Sequence, residues 1–195
     1  MADINLAEKR RLEREARLKA LDIAREKKNK WWQKPWMSEQ EIEQIKPLMI
    51  NARVFEYGSG GSTAFFGGEA KEYYSLETDR VFYEEVRDRL VLDHVKIFYE
   101  TNHEKYLNKI KEIGGQFDVV LVDNDEIPRA RCALCSFDCV KEDGALFIHD
   151  SAWTDHESPN DRSPKLKEEF LPVLEKYTLH NITQSLSLFK KNQMK

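Results

Sequence analysis

The sequence predicts an α/β fold, a mostly parallel sheet with helices packed on both faces. Three observations carry that prediction. Between residues 52 and 149, short apolar segments with strand patterning alternate with longer segments of helical periodicity, and such alternation builds parallel sheets. Phe117-Asp118-Val119-Val120-Leu121-Val122 is apolar apart from Asp118, as a strand covered on both faces must be. Val54-Phe55-Glu56-Tyr57 runs directly into Gly58-Ser59-Gly60-Gly61-Ser62-Thr63, a strand entering a glycine-rich turn ahead of a helix.

Taken in order, the elements begin with a charged arm. Residues 1–34 carry eleven Lys/Arg against six Asp/Glu, a local excess of +5 in a chain whose net charge is -4. The segment has no Pro or Gly and many long-chain helix formers, which predicts a helix over about residues 6–28. Its apolar stripe is thin, so the expectation is a solvated arm packing one edge on the domain or on a second copy of the chain. Docking of the arm on phosphates ranks second, because acids are scattered through it. Trp31, Trp32 and Trp36 around Pro35 are expected to be a buried anchor, with a substrate-lining function as the lesser reading. Residues 1–37 are therefore read as arm and anchor, and 38–195 as the domain.

Ser38 with Glu41 forms a capping box and opens a helix expected to end before Pro47. Residues 52–57 are strand one, and 63–66 lie in the first helical turns after the glycines. Strand two spans 71–77. A helix over 80–92 places Val81, Phe82, Val86 and Leu90 near one face. Strand three spans 95–99. A helix over 105–113 is closed by Gly114-Gly115, and strand four covers 117–122. A helix over 128–140 sets Cys132, Cys135 and Cys139 on one buried face, packing rather than redox or metal chemistry. Gly144 starts strand five, 145–149. A polar loop (151–164), a helix (165–174) and a hairpin of strands 176–180 and 186–190 complete the domain.

Composition bounds the function. The chain has 195 residues, 41% hydrophobic and 34% charged, suited to one globular domain plus a tail. No run approaches the roughly 20 apolar residues of a membrane helix. Residues 1–5 lack a basic-then-apolar secretory pattern, so a cytoplasmic location is expected. The acidic balance disfavours a general nucleic-acid binder.

In parallel sheets ligands bind beyond the carboxyl ends of the strands, where strand order reverses. Polar groups stand at those ends here. Glu77, 21 residues after Glu56, closes strand two at the spacing that lets an acid hold a ribose diol. Strand four ends in Asp123-Asn124-Asp125, and Asp125 ahead of Glu126-Ile127-Pro128 reads as a helix N-cap. Strand five ends in His149-Asp150-Ser151. Thr63 occupies the third-glycine position of the dinucleotide fingerprint, which disfavours a nicotinamide cofactor. Glu56 suits an ammonium group rather than a phosphate. An adenosyl cofactor with an amino-acid end and no phosphate, S-adenosylmethionine, fits both acids.

On these residues the chain resembles the class I S-adenosylmethionine-dependent methyltransferases over about residues 38–190. The family's acid and G-x-G core are matched by Glu56-Tyr57-Gly58-Ser59-Gly60-Gly61-Ser62-Thr63, and its ribose-holding acid by Glu77. Its F-D-x-V-x-x-D strand is matched by Phe117 to Asp123, and its glycine before strand five by Gly144. The resemblance implies a Rossmann-like three-layer αβα sandwich whose mostly parallel, seven-stranded sheet has an antiparallel last strand, here with an N-terminal helical arm. It implies cofactor binding by Glu56, Tyr57, Gly58, Ser59, Gly60, Ser62, Thr63, Glu77 and Asp123. There is no Pro-Pro-aromatic run after strand four, which disfavours methylation of nucleic-acid base amines.

A hydroxyl acceptor, on a small molecule or a carbohydrate, needs a base or a metal. His149, Asp150 and His156 are the candidate catalytic groups. A catechol-type branch of the family holds a divalent ion, which implies Asp123 and Asp150 as ligands for Mg or Mn, with Ser151 where that branch has Asn. Arg129 and Arg131 are candidates for an anionic acceptor, and a salt bridge on the helix is the equal reading for Arg131. His94 and His103 are expected at the surface. Alternatives are a protein or tRNA methyltransferase docking through the arm, or a non-catalytic scaffold. The arm also offers a surface for homo-oligomers.

Overall fold

The computed structural model describes residues 34–90, 92–150, 168–182 and 186–192. The expected arm helix, Trp31, Trp32, Ser151 and His156 lie outside the described residues. The chain enters at α1 (Glu39–Met49), followed by β1 (Arg53–Tyr57), α2 (Gly61–Gly67), β2 (Glu72–Glu77), α3 (Arg80–Arg89) and β3 (Val95–Tyr99). Next come α4 (His103–Ile113), β4 (Phe117–Val122), α5 (Arg129–Ser136), a 3-10 turn (Phe137–Cys139) and β5 (Val140–His149). A second 3-10 turn (Glu168–Phe170), α6 (Leu171–Lys176), β6 (Tyr177–Ile182) and β7 (Leu186–Lys191) close the fold.

The strands form one seven-stranded sheet in the order β3-β2-β1-β4-β5-β7-β6. The first five are mutually parallel, and β7 runs antiparallel to both β5 and β6. Strand alternation divides the core between the two faces. Val54, Tyr73, Val119, Leu121 and Phe147 pack with Ile42, Ile45 and Met49 of α1 and Phe66 of α2. Phe55, Tyr57, Val120, Val122 and Ile148 pack with Tyr106 and Ile110 of α4 and Cys132 and Ala133 of α5. Cys132 and Cys139 are buried and Cys135 packs against the same cluster. Burial holds the Cys132 thiol far above its ordinary pKa, so it is an apolar packing group.

Local signals place the helices. Glu41 N–H donates to Ser38 Oγ at 3.3 Å and Ser38 N–H to Glu41 Oε2 at 2.8 Å, the reciprocal capping box. Asp79 Oδ1 caps α3 by accepting from Val81 and Phe82 N–H at 2.7 and 2.9 Å. Asn102 caps α4 through Lys105 N–H at 3.0 Å.

Several expectations are corrected. The first helix continues through Pro47 to Met49, because Pro47 falls in the last turn, where only one backbone bond is forfeited. Strand five begins at Val140 rather than 145: the helix closes early in the 3-10 turn, and Val140 pairs with Phe117 before the register shifts and Val119 meets Ala145. At this bulge a Cβ on Gly144 would lie 2.9 Å from Val140 Cγ1 and 3.0 Å from the Lys141 carbonyl, so the glycine is a packing requirement. Trp36 is 70% exposed and the neighbouring Met37 is buried in its place. Of the expected inward face of α3 only Val86 is fully buried, and Val81 and Phe82 are exposed.

Candidate active site

Sheet order reverses between β1 and β4, and the glycine turn leaves β1 at that point. Gly58 has φ +107°, and a Cβ there would lie 2.3 Å from the Asp123 carbonyl oxygen. Only glycine lets the two strand ends approach so closely. The Gly58 N–H donates to the Leu76 carbonyl at 2.8 Å, and Asp123 N–H to the Tyr57 carbonyl at 2.8 Å. The turn is thereby tied to both neighbouring strands.

A buried polar network supports it from below. Glu56 is fully buried; Ser62 Oγ donates to its Oε1, and Thr63 Oγ1 to its Oε2 at 2.5 Å. Gly60 N–H donates to Thr63 Oγ1 at 3.1 Å, and Ser75 Oγ donates to the Gly58 carbonyl at 2.7 Å. Burial pushes the Glu56 carboxyl up to about 7, against the hydrogen bonds from Ser62 and Thr63 that favour its charged form. Tyr73 carries a buried hydroxyl with no hydrogen bond. Tyr57 points to the other face, where its hydroxyl donates to the Leu107 carbonyl at 3.1 Å. Glu56, Tyr57 and Thr63 therefore stand behind the turn, whereas Gly58, Ser59, Gly60 and Ser62 line the cleft in front of it.

Two adjoining cavities make up that cleft. One, of about 180 Å³, runs from Glu77, Thr78 and Asp79 to Asn124 and Glu126. Glu77 is 9% exposed, and its Oε2 accepts from Ser59 N–H at 2.9 Å and Ser59 Oγ at 2.8 Å. Its Oε1 accepts from the N–H groups of Thr78 and Asp79 at 2.7 and 2.8 Å. Burial raises its pKa despite these donors.

The other cavity, about 200 Å³, lies between the turn, Trp36, and the ends of β4 and β5. Phe82, Ser59, Asp123 and Asp125 border both. His149 Nδ1 is 3.2 Å from Asp123 Oδ1 and 3.6 Å from Asp150 Oδ2. Carboxylates only accept, so Nδ1 carries the proton and Nε2 is the basic nitrogen. Burial lowers the His149 pKa, but the Asp123 hydrogen bond and the charges of Asp123, Asp150 and Glu41 outweigh it and raise the value. Asp150 has φ +44°, a left-handed conformation that Asp tolerates better than most residues. One ligand atom from each of Asp123, His149 and Asp150 lies within 4.8 Å of the others.

Arg129, at the start of α5, clamps this end of the cleft. Nε donates to the Asn124 carbonyl at 2.8 Å and Nη1 to the His149 carbonyl. Nη2 lies 3.3 Å from Asp125 Oδ1 and 3.5 Å from Asp123 Oδ1. Pro128 occupies the N-cap of α5 without a side-chain bond, so Asp125 is no cap, and its carboxylate faces Arg129. Arg131 pairs instead with Glu104 at 3.0 Å. His103 is exposed, and His94 Nε2 lies 2.8 Å from the Gly67 carbonyl.

Sequence reasoning missed Ser75, Asp79 and Phe82. Asp79 carried a signal, the Asp-x-x pattern of an N-cap two residues after Glu77. Ser75 and Phe82 carried none, since both act across the fold.

Neither a protein-family model nor a curated protein matches the chain. Solved structures do. The O-methyltransferase TomG from Streptomyces achromogenes, in complex with SAM, superposes with a TM-score of 0.62 at 17% identity, covering 80% of this chain and 81% of that one. The SAH-bound methyltransferase PaMTH1 of Podospora anserina gives 0.58 at 17% identity, with 80% of each chain covered. The N-methyltransferase NodS of Bradyrhizobium japonicum gives 0.55 at 11% identity, covering 79% of this chain and 94% of NodS. The chain has the Rossmann-like fold of the class I S-adenosylmethionine-dependent methyltransferases.

Proposed function

We propose that this protein is an S-adenosylmethionine-dependent methyltransferase that methylates a hydroxyl of a small molecule. The observation that carries the reading is a buried histidine, oriented by Asp123, at the end of a cleft whose other end is the glycine turn and Glu77. The cleft fits the cofactor. A Cβ on Gly60 would meet nothing within 4 Å, so backbone is presented to open space, and the Glu77 carboxylate borders the cleft beyond it. TomG, an O-methyltransferase with SAM, and PaMTH1, bound to SAH, share the fold.

S-adenosylmethionine supplies an electrophilic methyl group on a sulfonium. Glu77 and the turn would hold its adenosine end, and Glu56 keeps the turn in shape from behind. His149 Nε2 takes the proton of the acceptor hydroxyl as the oxygen becomes the nucleophile, and Asp123 stabilises the imidazolium through Nδ1–H. Asp123 and Asp150 would be the groups to hold a divalent cation, whose chemistry would be to acidify the hydroxyl in place of the histidine base. Arg129 beside Asp123 competes with such an ion for that carboxylate.

Calorimetry with S-adenosylmethionine on the full chain tests the reading. Binding should be seen, and its absence at millimolar ligand would falsify the proposal. Glu77→Ala should weaken it about ten- to a hundredfold, the worth of charge-assisted hydrogen bonds. His149→Gln should leave cofactor affinity unchanged and lower turnover about 10²- to 10⁴-fold.

A further inference from the structure

The second cavity constrains what enters beside the cofactor. Its walls include two exposed aromatic side chains, Trp36 and Phe82, on opposite segments of the chain. Rings of this kind stack on flat or sugar-like bodies, and their faces attract cations. The lining is otherwise strongly acidic. Asp123, Asp125 and Asp150 border this cavity, and Asp79 and Glu126 border the adjoining one.

Beside His149, which Asp123 holds, Arg129 is the one basic side chain among the described lining residues, and it does not reverse this sign. Its side chain is only 13% exposed, and it is turned onto the carbonyls of Asn124 and His149 and the carboxylates of Asp123 and Asp125. Asp125 and Asp150 remain open, at 98% and 63% side-chain exposure. Among the described lining residues, an anionic acceptor would meet these carboxylates and an Arg129 already engaged by them.

We propose that the acceptor is a ring-bearing hydroxyl compound carrying a positive charge, a protonated amine on an aromatic or sugar ring, and that acidic acceptors are rejected. The proposal rests on the reading that this cleft takes a methyl acceptor. Trp36 forms the stacking wall, and Asp125 and Asp150 receive the ammonium group.

Three para-substituted phenols of different charge provide the test: tyramine (+1), 4-methylphenol (neutral) and 4-hydroxyphenylacetate (-1). Each is titrated calorimetrically into the full-length protein loaded with S-adenosylhomocysteine. At low salt, tyramine should bind about tenfold tighter than 4-methylphenol, the scale of one unit charge near the surface, and 4-hydroxyphenylacetate weaker still. The spread should collapse at about 0.5 M salt, where exposed charges are screened. Asp125→Asn removes one exposed anion and leaves Arg129 on Asn124, His149 and Asp123, so it should narrow the spread. Trp36→Ala should weaken all three. Equal affinities, a reversed order, a spread indifferent to salt and to Asp125→Asn, or no binding of any of the three would overturn the proposal. Transfer of labelled methyl to tyramine is scored separately. The expected binding order in the unloaded protein, with no binding of S-adenosylmethionine, would sink the methyltransferase reading and leave charge selection standing.

Discussion

Around the glycine turn, Glu56, Ser62, Thr63 and Ser75 are buried and bonded to one another, and Glu77 has taken four donors. Across the same sheet edge, Asp125 and Asp150 are exposed, and Arg129 ties the strand ends together through carbonyl oxygens. The first region is held by these mutual hydrogen bonds, with the Tyr73 hydroxyl left as its one unbonded buried group among the described residues. The second spends its charge on the open side of the cleft. A cofactor common to a whole fold suits the first kind of surface, and an acceptor particular to one protein suits the second. NodS and TomG, an N- and an O-methyltransferase on one fold, show how little the scaffold itself says about the acceptor.

The largest effect should come from the point where the two regions touch. Gly58→Ala places a Cβ 2.3 Å from the Asp123 carbonyl at φ +107°. Strain and overpacking together should cost about 4 kcal/mol, read as a lower urea midpoint. Asp123 must also shift, so the variant should lose turnover through His149 at temperatures where it is still folded. Full turnover in a folded Gly58→Ala protein would show that the regions are independent.

How legible each region was follows from the range of its interactions. The capping box at Ser38, the buried run of β4 and the turn at Gly58 are local patterns, and each appears where sequence rules put it. Arg129 was only a candidate anion receptor, because its partners include the carbonyl of a residue 20 positions away. Asp125 does not cap the helix: of two local patterns open to it, an N-cap and an ion pair with Arg129 four residues on, the ion pair decides. Trp36 and Phe82 were assigned to packing by their apolarity, and only the shape of the cleft leaves them exposed. Gly144 was legible as a family feature but not as a bulge, which depends on pairing with Phe117.

A second prediction tests the locked region alone. Burial pushes the Glu56 carboxyl up to about 7 in the folded protein, from an ordinary value of about 4.5. The folded state thus binds the proton more tightly than the unfolded chain. The stability this confers is complete below about pH 4.5 and is lost as pH rises through 7. The fall should be about 3 kcal/mol, from 1.36 kcal/mol per pKa unit. Urea midpoints measured across that window should decline in the wild type and less steeply in Glu56→Gln, where the raised Glu77 and His149 still contribute. A wild-type profile that rises with pH over the same window would mean that Glu56 is ionised and that its network is held by charge.

The smallest effect should separate two arginines on one helix. Arg131 and Glu104 are both exposed, at 51% and 73%, and exposed ion pairs of this kind contribute less than about 1 kcal/mol. Arg131→Ala should leave the urea midpoint and cofactor affinity close to wild type. Arg129→Ala leaves the Asn124 and His149 carbonyls without their donor and Asp123 without its cation, so it should cost several times more and disturb the His149 end of the cleft. If the two substitutions prove equal in both readouts, Arg129 is no clamp. The open side of the cleft would then be shaped by backbone pairing of β4 and β5 alone.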